Sequence, residues 1–298
     1  MALALLAFCL SSCGVKKKNV LSRKYHSTTP LFNYYYNGEL KRQEGVDQIN
    51  AAYRIPPEGY IDVLYIGTEE DAKTYKDNFE SAIEKAEIAL QKHDQVDNKW
   101  MDDLRYLIGR SWFYSRSYLL AEKNFEYVIE TFPQSKLIPD VYMWLVKTYY
   151  MDGNNIKALE LLEEDMKKLI LTKRQRGEKA IVQSQILLDQ GNYDQLVRVL
   201  NRNLKNIRGR INRARANYLL GQIYRDQGDL DKAFDSFRKV TKINTDYELI
   251  FNAKLELARI MIANQGSGSN SKKLNRYLKK MLRDEKNFDY RDQIYYEM

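Results

Sequence analysis

Nucleophiles and bases come first, and the chain has few of either. Its 298 residues include two cysteines, Cys9 and Cys13, and two histidines, His26 and His93. Structural zinc sites draw about four ligands from these residue types, so the inventory nearly excludes a Cys/His metal centre, and it excludes a disulfide-stapled scaffold. His26 and His93 stand far apart, with no serine, cysteine or metal-ligand pattern around either. A nucleophile needs its base within hydrogen-bond reach, and no such pair is readable. No Gly-rich phosphate loop and no zinc-protease motif occurs. Carboxylates are abundant, but they fall in helix-surface runs such as Glu160–Asp165 rather than in an isolated acid–base pair. The expectation is a non-enzyme with no catalytic residue, no metal and no cofactor.

The cysteines read better as processing signals. Residues 2–10 form a short apolar run, followed by Leu10-Ser11-Ser12-Cys13-Gly14. The run is too short for a bilayer, which takes roughly 20 apolar residues. A hydrophobic stretch ending in small residues before a cysteine resembles a bacterial lipoprotein signal, although no Lys or Arg precedes this run. The resemblance implies a signal peptide over 1–12, lipidated Cys13 as the first mature residue, and a tether over 13–24. Two or more acyl chains would hold such a protein on a membrane. Lys16, Lys17 and Lys18 lie beside the anchor, where they would meet anionic headgroups or simply be solvated.

The elements behind these positions are helical. With 14 Gly, 5 Pro and 30% charged residues, the composition favours helices over a turn-rich β protein. From residue 102 a 34-residue pattern recurs that matches the tetratricopeptide repeat. The copy from Asp102 places Gly109, Trp112, Ala121, Phe125, Val128 and Pro133 at its signature positions, and the copy from Ala214 places Gly221, Tyr224, Gly228, Ala233, Phe237 and Val240. A copy from Pro139 gives Leu145, Tyr149, Gly153, Ala158 and Leu162. A weaker one from Gly177 keeps Gly191, Leu196 and Leu200 but carries Ser184 where the others are mostly small. Small residues let two antiparallel helices approach, bulky ones fill the space to the next pair, and Gly supplies the turn. The fold class expected is all-α, an α-solenoid of tetratricopeptide helix pairs.

Upstream, Asp71–His93 reads as one amphipathic helix, residues 27–53 as a helical pair or one long helix, and 54–70 as a loop or short extended connection containing the apolar run Ile61–Ile66. Downstream, Tyr247–Asn264 and Lys272–Asp284 form a fifth pair with a long turn over 265–271. Residues 289–298 read as the opening of a further helix, with Ile294, Tyr295 and Met298 at core-like spacing. The domain expectation is an N-terminal helical region over 25–97 and a repeat array over 98–298, its last repeat incomplete, as in the N-terminal part of a longer protein.

Two surfaces are candidates for binding. The concave positions of the first helices carry Tyr106, Arg110 and Phe113, then Lys147 and Tyr150, then Gln185, and finally Tyr218, Gln222 and Arg225. Tyr and Arg dominate interface hot spots, so Tyr106, Arg110, Phe113, Lys147, Tyr150, Tyr218 and Arg225 are the expected partner-binding set. The Lys/Asn clamp that chaperone-tail grooves use on a terminal carboxylate is absent. The second surface is a basic patch: Arg198, Arg202, Lys205, Arg208, Arg210, Arg213 and Arg215 fall between Asp194 and Asp226 without an acidic residue. Behind a lipoprotein signal, the expected counterpart is an acidic protein surface or anionic lipid and not nucleic acid.

Three segments go beyond a generic repeat: Tyr25–Thr29 with Phe32–Asn37, Ile83–Ala86, and Asn98–Gly109. Together they resemble the tetratricopeptide lipoproteins of Bacteroidetes associated with gliding motility and the type IX secretion system (the SprE/PorW type). The resemblance implies a lipid-anchored outer-membrane protein facing the periplasm, with protein partners in a secretion and motility machine. Only Cys13 carries over as a functional position. Two other lipoprotein classes embed such repeats, the β-barrel assembly type and the glycan-binding starch-utilisation type. The first does not account for the Tyr-rich start, and the second needs long aromatic loops where this chain has short connections.

Overall fold

The computed structural model describes residues 30–56, 58–93, 100–263 and 269–298. The expected signal over 1–12 with Cys13, the expected tether over 13–24, the Tyr25–Thr29 segment and most of the 265–271 turn lie outside the described residues. The described chain is all-α and built of tetratricopeptide-type helix pairs, as expected. It divides into two compact units, one made of residues up to 52 with 67–148, the other of 53–66 with 149–298. The cut differs from the expected 25–97 and 98–298 division. It falls within a helix, and it assigns the 53–66 segment to the C-terminal unit.

In unit 1, a π-helical turn over Pro30–Tyr35 leads into α1 (Tyr36–Ala52), followed by α2 (Glu69–Thr74), α3 (Lys76–His93), α4 (Met101–Tyr114), α5 (Tyr118–Thr131) and α6 (Ile138–Met151), the last of which runs on past the unit boundary. The single helix expected over 71–93 starts earlier and breaks once. Thr68 caps α2 by a reciprocal box: its hydroxyl accepts from the Asp71 amide, and the Asp71 carboxylate accepts from the Thr68 amide. The chain then interrupts the helix at Tyr75. Ile83, Ala86 and Leu90 of α3 pack on Leu104, Leu107 and Ile108 of α4, with Tyr34, Tyr35, Met101 and Trp112 at the edge.

In unit 2, α7 (Asn155–Glu160) gives way to a π turn over Leu161–Asp165 and a 3-10 turn over Met166–Lys168. The helices α8 (Lys173–Asp189), α9 (Tyr193–Asn203), α10 (Arg210–Asp226), α11 (Leu230–Val240), α12 (Tyr247–Ala263) and α13 (Ser269–Arg283) follow. A 3-10 turn over Glu285–Tyr290 and α14 (Arg291–Tyr296) complete it. At the end of the chain, only part of the expected core spacing holds. Ile294 is fully buried against Phe251, Leu255 and Leu278, whereas Tyr295 and Met298 are exposed.

Repeat chemistry explains the helix pairs. An added Cβ at Gly109 would lie 2.6 Å from the Phe125 ring, and one at Gly221 would lie 2.7 Å from Phe237. The phenyl ring of the second helix therefore sits directly on the glycine of the first. Where that position is Ser184, the matching one is the smaller Leu200, and both are buried. Gly191 and Gly228 take positive φ between the paired helices, and the next residue, Asn192 or Asp229, caps the second helix through its side chain. The equivalent position in the first repeat is Arg116, the one non-glycine residue with positive φ (58°) among those described. Left-handed backbone costs an L-residue about 1 kcal/mol or more. Here the guanidinium donates to the Gly67 carbonyl at 2.7 Å and to the Thr68 carbonyl at 3.3 Å, which offsets that cost.

Candidate functional site

In unit 1, the expected groove residues of α4 are covered. Tyr106, Arg110 and Phe113 are all buried. What covers Arg110 is Glu39 of α1, whose carboxylate accepts from Arg110 Nη1 at 3.2 Å and Nη2 at 2.8 Å, and from Arg42 Nε at 3.1 Å and Nη2 at 2.6 Å. The Arg110 guanidinium also lies 4.2 Å from the Tyr106 ring centroid. Burial pushes the Glu39 carboxyl up, but the two guanidinium groups outweigh it and hold the group below its ordinary value. Phe113 packs edge-on against Trp144, 5.1 Å between centroids, and the Lys147 ammonium sits 4.1 Å over that indole. Lys147 is itself buried. These four side chains were expected to face a partner; the structure encloses them instead.

Asp103, at the open end of the same helix face, behaves differently. Burial and the neighbouring Asp102 charge push its carboxyl up to about 6, against a partial pull down from Arg110. Because the folded value lies above the unfolded one of about 3.9, the folded state holds the proton longer, and stability falls as pH rises from about 4 to 6. Asp103→Asn is therefore expected to raise the unfolding midpoint at pH 7 and to leave it unchanged below pH 4. A carboxyl NMR titration of Asp103 centred near 4 would contradict this.

In unit 2, the groove is filled by the chain's own residues 59–65. Two glutamines at the same position of successive repeats, Gln185 on α8 and Gln222 on α10, hold this strap by its backbone. The Gln222 amide oxygen accepts from the Ile61 N–H at 3.0 Å, and its nitrogen donates to the Gly59 carbonyl at 2.9 Å. The Gln185 oxygen accepts from the Val63 and Leu64 amides at 2.9 and 3.1 Å, and its nitrogen donates to Asp62 at 2.9 Å. Ile61 and Val63, two residues apart, send their side chains into the main core at 0% and 1% exposure.

The remaining expected groove residues are engaged by other side chains of unit 2. Tyr218 is buried with its ring 5.1 Å from Phe237, and burial raises its hydroxyl pKa well above normal. The Tyr150 hydroxyl donates to Asp189 at 2.5 Å. Arg225 bridges Asp226 and the buried Glu256 at 2.8 and 2.7 Å. Arg215, expected in the basic patch, is 2% exposed and lies 4.0 Å from the Tyr53 ring, with Tyr65 at 5.2 Å on the strap. Gln185 and Gln222 are the residues that sequence reasoning placed on the groove and passed over; their recurrence at one repeat position was the available signal.

The rest of the basic patch is open. Arg198, Arg202, Lys205, Arg208, Arg210 and Arg213 are exposed. Other surface cations pair along their helices, such as Lys76 with Glu80 and Arg238 with Asp235. None of these six forms an ion pair among the described residues. The loop carrying Lys205 and Arg208 is held firmly, because Ile207 is buried and the Asn206 carbonyl lies against Gly177, where an added Cβ would come within 2.3 Å.

Among the described residues, no group of His, Cys, Asp and Glu is placed to hold a metal, and no helix is long and apolar enough to cross a membrane. Residues 214–247 match the family model of the tetratricopeptide repeat, a span that takes in most of α10, all of α11 and the first residue of α12. No curated protein sequence matches the chain. Similar solved structures include TTC0263, a thermophilic tetratricopeptide protein of Thermus thermophilus, at 17% identity over 64% of this chain and 99% of that one, TM-score 0.45. Another is Naa15/Naa10 bound to HypK-THB, at 17% identity over 90% of this chain and 40% of that one, TM-score 0.44.

Proposed function

We propose that this chain is a membrane-tethered helical-repeat scaffold that holds protein partners in the periplasm and supports type IX secretion and gliding motility. The observation that carries the reading is spatial. The three segments behind the family resemblance are far apart in sequence, yet their described parts meet in one cluster: Tyr34 and Tyr35 from the first, Ile83 and Ala86 from the second, Met101, Leu104, Leu107 and Ile108 from the third. The Tyr35 ring also stacks 6.3 Å from Trp100. Segments that resemble one family and build one packed unit support a shared origin better than three separate coincidences.

The groove side chains Tyr106, Arg110, Phe113, Lys147 and Tyr218 bind a partner on this reading only if the chain covering them moves. Tyr150 and Arg225 stay partly exposed, but both are already engaged. The scaffold therefore works through outer faces rather than through open grooves.

Anchoring is tested at Cys13. In the native host, Cys13→Ala is expected to shift the protein from the membrane to the soluble fraction and to reduce both type IX cargo in the medium and spreading on agar. Wild-type protein without acyl mass would remove the anchor. Unchanged secretion and spreading in a deletion strain would remove the machine.

A further inference from the structure

A second cationic surface, which the sequence reading passed over, surrounds a recess in unit 2. Between Glu256 and Asp284 the chain has no acidic residue, and α13 carries Lys272, Lys273, Arg276, Lys279, Lys280 and Arg283, all exposed or partly so. The opposite stripe of α13, Leu274, Leu278 and Met281, is buried against α12. Where α11, α12 and α13 meet, a cavity of about 600 Å³ opens, within the range of ligand-holding pockets of about 300–1,000 Å³. Its floor is apolar, formed by Leu257, Met261, Tyr277 and Met281. Arg238, Lys254, Lys280 and Arg283 stand around the rim, against one carboxylate, Asp284.

Two of these rim cations are committed, Arg238 to Asp235 at 2.9 Å and Lys254 to Asp284 at 3.6 Å. Lys280 and Arg283 form no ion pair among the described residues. We propose that this recess docks an acidic amphipathic helix of a partner protein, its apolar side chains entering the cavity and its carboxylates meeting Lys280 and Arg283. The inference rests on the scaffold reading above and names the chemistry of one partner.

Shape and composition together select this occupant. The apolar surface is recessed between helices, so the ligand must project side chains into it; a flat bilayer surface does not. Thioethers on the floor adapt to differently shaped apolar groups. A helix in a groove presents such groups at i, i+3, i+4 and i+7. The rim sets the sign of the helix's remaining face, because unmatched cations repel a basic segment and steer an acidic one.

The test uses the full-length protein and a synthetic helical peptide of about 18 residues, with Leu at the i, i+3, i+4 and i+7 positions, Glu on the other face, a fluorescein label and one Leu replaced by a benzophenone residue. Anisotropy is expected to show saturable binding, weakened about tenfold or more by Lys280→Glu with Arg283→Glu. The equal charge change Arg198→Glu with Arg202→Glu is expected to alter it less than twofold. Photo-crosslinks are expected on Met261 or Met281. Equal weakening by both charge reversals, or crosslinks mapping elsewhere, would overturn the proposal. So would a peptide that fails to bind while phosphatidylglycerol vesicles bind through Lys280 and Arg283. Each of these results leaves the anchoring and secretion tests untouched, so the two readings fail separately.

Discussion

Replacing Glu39 with Gln is expected to lower the stability of unit 1 by about 3 kcal/mol, because removing one partner of a buried ion pair leaves the other charge uncompensated. Two guanidinium groups depend on this one carboxylate, and their side chains are only 6% and 9% exposed. The surface pair Lys41–Glu44, at 43% and 41% exposure, provides the contrast: Glu44→Gln is expected to cost less than about 1 kcal/mol. Urea unfolding of both variants measures the difference. The pH dependence has a definite sign. Since the folded Glu39 value is depressed, its contribution is complete above the unfolded value of about 4.3 and is lost as pH falls through the folded one. The gap between wild type and Glu39→Gln should therefore narrow in acid. Equal effects of the two substitutions at pH 7 would show that the Glu39 network does not hold α1 on α4.

The second large effect is expected at the strap. Ile61→Ala removes a fully buried side chain from the main core of unit 2 and should cost about 2–4 kcal/mol. Gln185→Ala acts on the same segment by another route, leaving the Val63 and Leu64 amides without their acceptor at about 1–3 kcal/mol. Hydrogen exchange separates strap closure from global stability. In the wild type, the Ile61, Val63 and Leu64 amides are expected to be protected despite lying in no helix or strand. In Gln185→Ala, the Val63 and Leu64 amides should exchange about thirtyfold faster for a loss of about 2 kcal/mol, since 1.4 kcal/mol is a factor of ten. Free-peptide exchange rates in the wild type would refute the closed groove.

Most of the helical architecture was legible because it is written locally. Gly109 and Phe125, or Gly221 and Phe237, are sixteen residues apart at fixed repeat positions, and Gly-Asn or Gly-Asp marks the turns. The capping box at Thr68 is equally local, and it accounts for a helix that starts at Glu69, two residues before the expected Asp71. What could not be read was occupancy. The repeat pattern fixes which positions line a groove, but not that Gln222 meets Gly59 across 163 residues or that Arg110 meets Glu39 across 71. Those pairings come from chain outside the repeats, whose only trace is the alternation of Ile61 and Val63. Tyr and Arg at groove positions suited a partner, and the partner they found is their own chain.

The strap also sets an order of events during synthesis. Its residues leave the ribosome well before the helices that receive them, with 161 residues between Ile61 and Gln222. At about 5–20 residues per second, Ile61 and Val63 wait on the order of 8–30 s as exposed apolar chain before α10 exists. Unit 2 is thus finished by a piece translated ahead of it, and a product begun at residue 149 would hold every repeat helix of that unit yet lack the segment that closes its core.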